Sequence, residues 1–243
     1  MRFAGFRHAP AVLAAVLALG TVGAASHAQS APSGGAAPRR VARRIDKHPR
    51  ALVTPTREGG QAWAKALGEV LVRNRNTGAE AKLRLYREDG TLDAEAATRF
   101  MSVASSVKVD DAEHIERLPQ RLVQLVFRAS YHFKGASVVI LSATRKGARG
   151  RHGDGEAIDF HLDGVKAPAL AAYLRATPRA GVGIYTHPKT QYVHLDVRDH
   201  SYHWLDGSPP GVKWRERLLS DPKQAKRDAS YRPALDLPER AGG

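Results

Sequence analysis

Residues 119–141 read Pro-Gln-Arg-Leu-Val-Gln-Leu-Val-Phe-Arg-Ala-Ser-Tyr-His-Phe-Lys-Gly-Ala-Ser-Val-Val-Ile-Leu, and the hydrophobic period changes partway through them. Leu122, Val123, Leu125, Val126 and Phe127 recur at helical spacing, so residues 119–131 are predicted to form an amphipathic helix. Gly135 ends it, because glycine takes the left-handed conformation that closes a helix without a Cβ clash. Residues 137–141 follow as a nearly continuous β-branched apolar run, which reads as a buried strand. A helix that leads directly into a buried strand calls for a core built by both kinds of element.

Working outward, residues 69–73 and 82–86 flank Asn76-Thr77-Gly78 and read as a hairpin. A turn at Asp89-Gly90 leads to a helix over 94–105. Downstream, 157–161, 183–185 and 192–197 are three short strands, with a helix over 168–176 between the first two. Helices cluster early and the later strands can pair antiparallel. The expectation is an α+β domain, a small antiparallel sheet flanked by helices.

The ends differ from this middle. Arg2 and Arg7, an apolar run over 11–25 and Ser26-His27-Ala28 have the order of a secretory signal peptide over residues 1–28. The run is shorter than the roughly 20 residues a membrane span needs, and no other segment could cross a bilayer. Residues 29–50, rich in Ser, Gly, Ala, Pro and Arg, read as a basic flexible linker. Residues 51–220 are one domain, and 221–243, with Pro222, Pro233 and Pro238, read as a basic proline-containing tail. No internal repeat is present. An exported chain of this kind is expected in the periplasm or secreted. The sequence has no cysteine, which excludes disulfides and thiolate metal sites and suits an oxidising compartment.

The sequence carries 38 Lys and Arg against 24 Asp and Glu, a net charge of +14, and loss of Arg2 and Arg7 leaves +12. Such an excess raises nucleic acid as a partner. Export argues against it, so no nucleic acid is expected. The basic residues concentrate in the flanks: Arg39, Arg40, Arg43, Arg44, Lys47 and Arg50 before the domain, and Lys213, Arg215, Arg217, Lys223, Lys226 and Arg227 late in the chain. They read either as solvated flanks or as a means of attraction to an anionic envelope surface.

Within the domain, His152 and Asp159 stand in Arg151-His-Gly-Asp-Gly-Glu-Ala-Ile-Asp159, and His194 in Tyr192-Val-His-Leu-Asp196. Two imidazoles and one carboxylate can hold a catalytic zinc and leave its fourth position free. Asp159 and His194 fall on predicted strands, and Gly153 and Gly155 would let the loop turn His152 back over Asp159. The chain has eleven histidines, so spacing alone leaves open a metal site and three unrelated residues.

Five ordered segments carry a resemblance. Leu141-Ser142-Ala143-Thr144-Arg145 is followed by His152-Gly-Asp-Gly155-Glu-Ala157-Ile-Asp159, Gly181-Val-Gly183-Ile-Tyr185, Val193-His194-Leu-Asp196 and Trp204. Over residues 65–207 this order resembles the zinc D-Ala-D-Ala metallopeptidases of bacterial cell walls. They belong to the group that unites lysostaphin-type enzymes and the hedgehog domain. In particular it resembles a branch of periplasmic murein endopeptidases long described as a domain of unknown function. That branch has a strand ending in Ser-Gly-Tyr-Arg, then His-x-x-Gly-x-Ala-x-Asp, Gly-Val-Gly-x-Tyr, Val-His-x-Asp and a nearby Trp. The hairpin Asn76-Thr77-Gly78-Ala-Glu80 is similar too.

The resemblance implies a hedgehog/D-Ala-D-Ala peptidase-like fold and a Zn2+ ion on His152, Asp159 and His194. It implies a peptidoglycan peptide as substrate. Arg145 would act in catalysis and substrate binding, steadying a carbonyl oxygen or carboxylate, and Tyr192 would touch the substrate. These enzymes place Glu or His two or three residues before the last ligand, where this sequence has Tyr192 and Gln191. Asp196 is then the first candidate for general base, or else for a carboxylate that orients His194. His187 is a further candidate base. Only six residues separate Arg145 from His152, where the family has a longer loop, and Gly150 stands where the family has Ser. Asp154, Glu156 and His161 read as surface or supporting residues, with His161 on the face of Asp159. Tyr202 and Trp204 read as packing. The implied function is an exported zinc-dependent hydrolase of peptidoglycan peptides, of murein endopeptidase or D,D-/L,D-peptidase type. The alternatives are a non-catalytic zinc-containing module of the same fold that binds murein or a protein, and a basic envelope protein whose trio is incidental.

Overall fold

The computed structural model describes residues 62–105, 118–144, 149–212 and 216–239. The expected signal peptide and linker, and Arg145, lie outside these residues. Strands β1 (Val70–Asn74) and β2 (Glu80–Leu83) form the predicted hairpin, with Gly78 at φ 73° in its turn. Asn74 anchors it. Its carboxamide oxygen accepts from the Asn76 N–H at 2.9 Å, and its Nδ2 donates to the carbonyls of Val103 and Ser105. Helix α1 (Ala62–Lys65) precedes the hairpin, and α2 (Ala94–Ala104) starts on Asp93, whose carboxylate accepts from the N–H groups of Glu95 and Ala96 as an N-cap.

Helix α3 (Gln120–His132) carries the predicted stripe, with Leu122, Val123, Leu125, Val126 and Phe127 all buried. It ends as a Schellman turn: Gly135 N–H donates to the Ser130 carbonyl and Lys134 N–H to that of Tyr131, with both residues at positive φ. The chain then enters β3 (Val138–Ser142). Strands β4 (Ala157–Leu162), β5 (Ala180–Tyr185), β6 (Tyr192–Val197), β7 (Tyr202–Asp206) and β8 (Arg217–Leu218) follow, with α4 (Ala167–Arg175) after β4 and α5 (Gln224–Ala229) after β8.

Among the described residues these make one mixed, open sheet of eight strands in the order β2-β1-β3-β4-β6-β5-β7-β8, with five α-helices. The α+β class holds, but the sheet is larger than expected and not purely antiparallel: β1 pairs with β3, and β5 with β7, in parallel. The first parallel pair arises because α2 and α3 carry the chain back, so that β3 runs alongside β1 in the same direction. The second arises because the link 198–201 crosses the start of β5. There Arg198 N–H donates to the Arg179 carbonyl and Ala180 N–H to Ser201 Oγ.

One face of the sheet is the core. Val70, Val72, Ile140, Ile158, Phe160, Val182, Val193 and Leu195 point to it and join the apolar faces of α2, α3 and α4 in one buried cluster. Each such side chain contributes roughly 1.5–3 kcal/mol by burial. The opposite face takes the alternate residues, among them Asp159, Gly181, Gly183, His194, Asp196 and Trp204.

The segment expected as a basic tail closes on the domain over its described part. It carries α5 and a 3-10 turn at Pro233–Asp236, and Leu237, Asp228 and Asp236 are buried. Buried carboxylates hold it. Asp228 accepts from Arg179 N–H at 2.6 Å, Ser201 N–H at 2.8 Å and Ser201 Oγ at 2.6 Å. Asp236 takes both Nε and Nη2 of Arg121, which also reaches the carbonyls of Pro178 and Arg179. No helix of the described residues is long and apolar enough to cross a membrane.

Candidate metal centre

Asp159 on β4 and His194 on β6 are direct cross-strand partners, which sets their side chains next to each other on the face away from the helices. His152 reaches them from the turn before β4. That turn is closed by Asp154 N–H to the Gly150 carbonyl at 3.0 Å and Glu156 N–H to the Arg151 carbonyl at 2.8 Å. Gly150 (φ 81°) and Gly155 (φ 69°) supply its left-handed residues, and Gly153 does not. A serine at position 150 would be strained there, which is a local reason for glycine. Arg151 forms an ion pair with Glu156.

The three side chains converge. His152 Nε2 lies 3.2 Å from Asp159 Oδ1 and 3.1 Å from His194 Nδ1, and His194 Nδ1 lies 2.9 Å from the same oxygen. Each imidazole is held from behind. His152 Nδ1 donates to the Ala143 carbonyl at 2.6 Å, just past a register shift at the end of β3. His194 Nε2 donates to Asp196 Oδ2 at 3.1 Å. These two bonds fix the tautomers, leaving a lone pair on His152 Nε2 and another on His194 Nδ1.

Two nitrogen lone pairs and a carboxylate oxygen therefore face one point. Three acceptors cannot bond one another, and a cation at that point satisfies all three. The triangle has the right size: donor atoms around a tetrahedral ion with bonds of about 2.0–2.1 Å stand about 3.3 Å apart, and around an octahedral one about 3.0 Å. Burial alone would raise the Asp159 carboxyl. The neighbouring His152 and His194 rings outweigh it and hold the group down at about 2, so Asp159 is an anion. Burial opposes a charged His194, yet Asp159 and Asp196 together raise its pKa. Among the described residues this is the group of His, Asp and Glu side chains whose donor atoms meet in this way.

The remaining candidates occupy other places. Asp196 is completely buried behind His194, on the ring edge opposite the triangle, and both its oxygens are taken by Arg198. Of the two roles open to it, orienting His194 fits this position and accepting a proton at the triangle does not. His187 Nδ1 accepts the Lys189 N–H at 3.2 Å in a turn. His161 pairs with Val139 on β3 and does not join the converging group, nor do Asp154 and Glu156. Tyr192 stacks on Tyr185 with ring centroids 4.3 Å apart, where β5 ends and β6 begins, on the His194 face. Burial, then the charge of Asp159, raises the Tyr185 hydroxyl pKa.

Sequence reasoning missed why Gly181 and Gly183 are glycines. They share the site face of β5, and a Cβ on Gly181 would meet Asp196 Oδ2 at 2.2 Å, while one on Gly183 would meet the Trp204 ring at 2.4 Å. Their spacing, two apart in a strand, was the available signal. Trp204 in turn packs on His194 at 4.9 Å.

Comparison with protein-family models, with curated proteins and with solved structures finds no match to this chain.

Proposed function

We propose that this chain is an exported zinc-dependent hydrolase of peptidoglycan peptides, of murein endopeptidase or D,D-/L,D-peptidase type, with a hedgehog/D-Ala-D-Ala peptidase-like architecture. One observation carries the reading: two imidazole lone pairs and the Asp159 carboxylate meet at one point, each imidazole tautomer being fixed from behind. His152, Asp159 and His194 would hold the ion. Zinc so held supplies Lewis acidity toward a peptide carbonyl and lowers the pKa of water toward neutrality. The protein's own groups do the rest. Arg145 binds a carbonyl oxygen or carboxylate of the peptide, Tyr192 with its stacked partner Tyr185 borders the site, and Asp196 keeps the His194 ring in place. Among the described residues, α2, α3 and α4 pack on the other face of the sheet from the site.

A second reading has support of its own. Gln191 and Tyr192 replace the usual proton acceptors, and Asp196 lies behind His194. The same fold would then be a zinc-containing module that binds murein or a protein without cutting it. The test incubates residues 29–243 with zinc and defined muropeptides and looks for new termini by mass spectrometry. Cleavage by the wild type and none by His152→Ala is the expected result. Stoichiometric zinc with no cleavage would favour the binding module.

A further inference from the structure

Asp196 is a completely buried carboxylate held by Arg198 and His194. Arg198 Nε donates to its Oδ1 at 2.5 Å and Arg198 Nη2 to its Oδ2 at 2.8 Å, and the same Oδ2 takes the His194 Nε2 proton at 3.1 Å. The guanidinium is itself fixed. It lies over the Tyr202 ring at 4.9 Å and near the Trp204 ring at 5.9 Å. Opposite Asp196 in register stands Gly181, where a Cβ would lie 2.2 Å from Asp196 Oδ2 and 2.4 Å from Arg198 Nε. Sequence and space are both committed to this pairing.

We propose that Arg198 is the positioning residue of the metal centre: its two-pronged grip on Asp196 sets the His194 ring so that Nδ1, and not Nε2, faces His152 and Asp159. The proposal rests on the metal-site reading above and extends it to a residue that touches neither metal nor substrate. A planar fork fixes both carboxylate oxygens at once, so the Asp196 plane cannot rotate and the direction of its bond to His194 is set. The positive charge also offsets a second buried carboxylate beside Asp159. Without it Asp196 would swing toward solvent, and His194 would lose the partner that fixes its ring. Arg198 is not read as a substrate ligand, because its donors Nε and Nη2 are already committed to Asp196.

The test uses the mature chain with Arg198→Gln, Arg198→Lys and Gly181→Ala, and two readouts. The first is the zinc dissociation constant by competition with a chromophoric chelator. Loss of a group that orients a metal ligand weakens affinity about 10- to 100-fold, and Arg198→Gln is expected in that range. Arg198→Lys keeps the charge without the fork and should recover part of the loss, and Gly181→Ala should weaken binding in the same direction. The second readout is the 15N NMR tautomer of neutral His194 in metal-free protein, at a pH where its ring shifts no longer change with pH. The wild type is expected to carry its proton on Nε2, and Arg198→Gln to show a mixture. Zinc affinity within twofold of wild type in Arg198→Gln, or an unchanged His194 tautomer in that variant, overturns the proposal. If Arg198→Gln does not fold, the same two measurements on Arg198→Lys decide, with no change in either counting against it. A wild type that binds no zinc overturns the metal reading instead, and the metal-free tautomer still judges Arg198.

Discussion

Trp204 rests on the bare backbone of Gly183: a Cβ at that position would lie 2.4 Å from two carbons of the indole ring. The ring has no room to retreat, because it is buried and packs on His194 at 4.9 Å. Gly183→Ala should therefore act as overpacking, costing about 1–3 kcal/mol, and should weaken zinc binding by displacing His194. Urea denaturation followed by tryptophan fluorescence checks the first effect. Gly207→Ala is the control. Its Cβ would meet Thr186 Oγ1 at 3.5 Å, an ordinary contact, so stability should move by less than about 0.5 kcal/mol.

The converging lone pairs predict a stability that depends on metal. A ligand that binds only the folded state at a hundred times its dissociation constant adds about 2.7 kcal/mol. Zinc should raise the thermal midpoint of the wild type, and a chelator should reverse it. His152→Ala, Asp159→Asn and His194→Ala should each abolish the increment, since each removes one donor of the triangle. A midpoint that responds equally in wild type and His152→Ala would mean that zinc binds elsewhere.

Much of this was legible in the sequence where chemistry or period is local. The change from the helical stripe of Leu122–Phe127 to the apolar run at Val138 gave α3 and β3 within a residue or so, and β6 falls on 192–197 as expected. The trio was legible because residue type limits which side chains bind metal. Pairing partners were not, because nothing in Val70–Asn74 or Val138–Ser142 states that these strands run parallel. Strand β7 was missed since Tyr202-His-Trp-Leu-Asp carries its His toward the core and its Trp toward the site, against the usual alternation. The role of Asp196 needed a fact no sequence holds: which nitrogen of His194 faces the ligands.

The C-terminal segment illustrates the same limit and yields a test. Its anchors are carboxylates, which in a sequence look like surface residues. Asp228→Ala would leave the N–H groups of Arg179 and Ser201 without their acceptor where the chain crosses the start of β5. An unmet buried donor costs about 1–3 kcal/mol, so the expected loss is on the order of 3 kcal/mol in urea unfolding. Asp228→Asn, which keeps one acceptor oxygen, should lose less. A chain ending at residue 220 should fail to fold stably. A truncated chain with wild-type stability would show that the segment is indeed only a tail.

His203 predicts how the protein responds to acid. It lies on β7 with no exposed surface, and among the described residues neither ring nitrogen has a hydrogen-bond partner. Burial, then the positive charges of Arg175 and Arg227, push its pKa down to about 4, against the weaker opposing pull of Asp221 and Asp228. The folded protein thus keeps the ring neutral, while the unfolded chain takes up a proton near pH 6.5. The unfolded state binds more protons between these values, so stability is full above about pH 6.5 and falls as the pH drops toward 4, by at most about 3 kcal/mol from this group. His203→Phe removes the titration and the two unmet ring nitrogens. Urea midpoints of wild type and His203→Phe at pH 7.5, 6.0 and 5.0 should diverge, the wild type losing stability faster with acid. Parallel curves would assign the acid response to other groups, such as the carboxylate anchor Asp228, whose pKa the fold lowers.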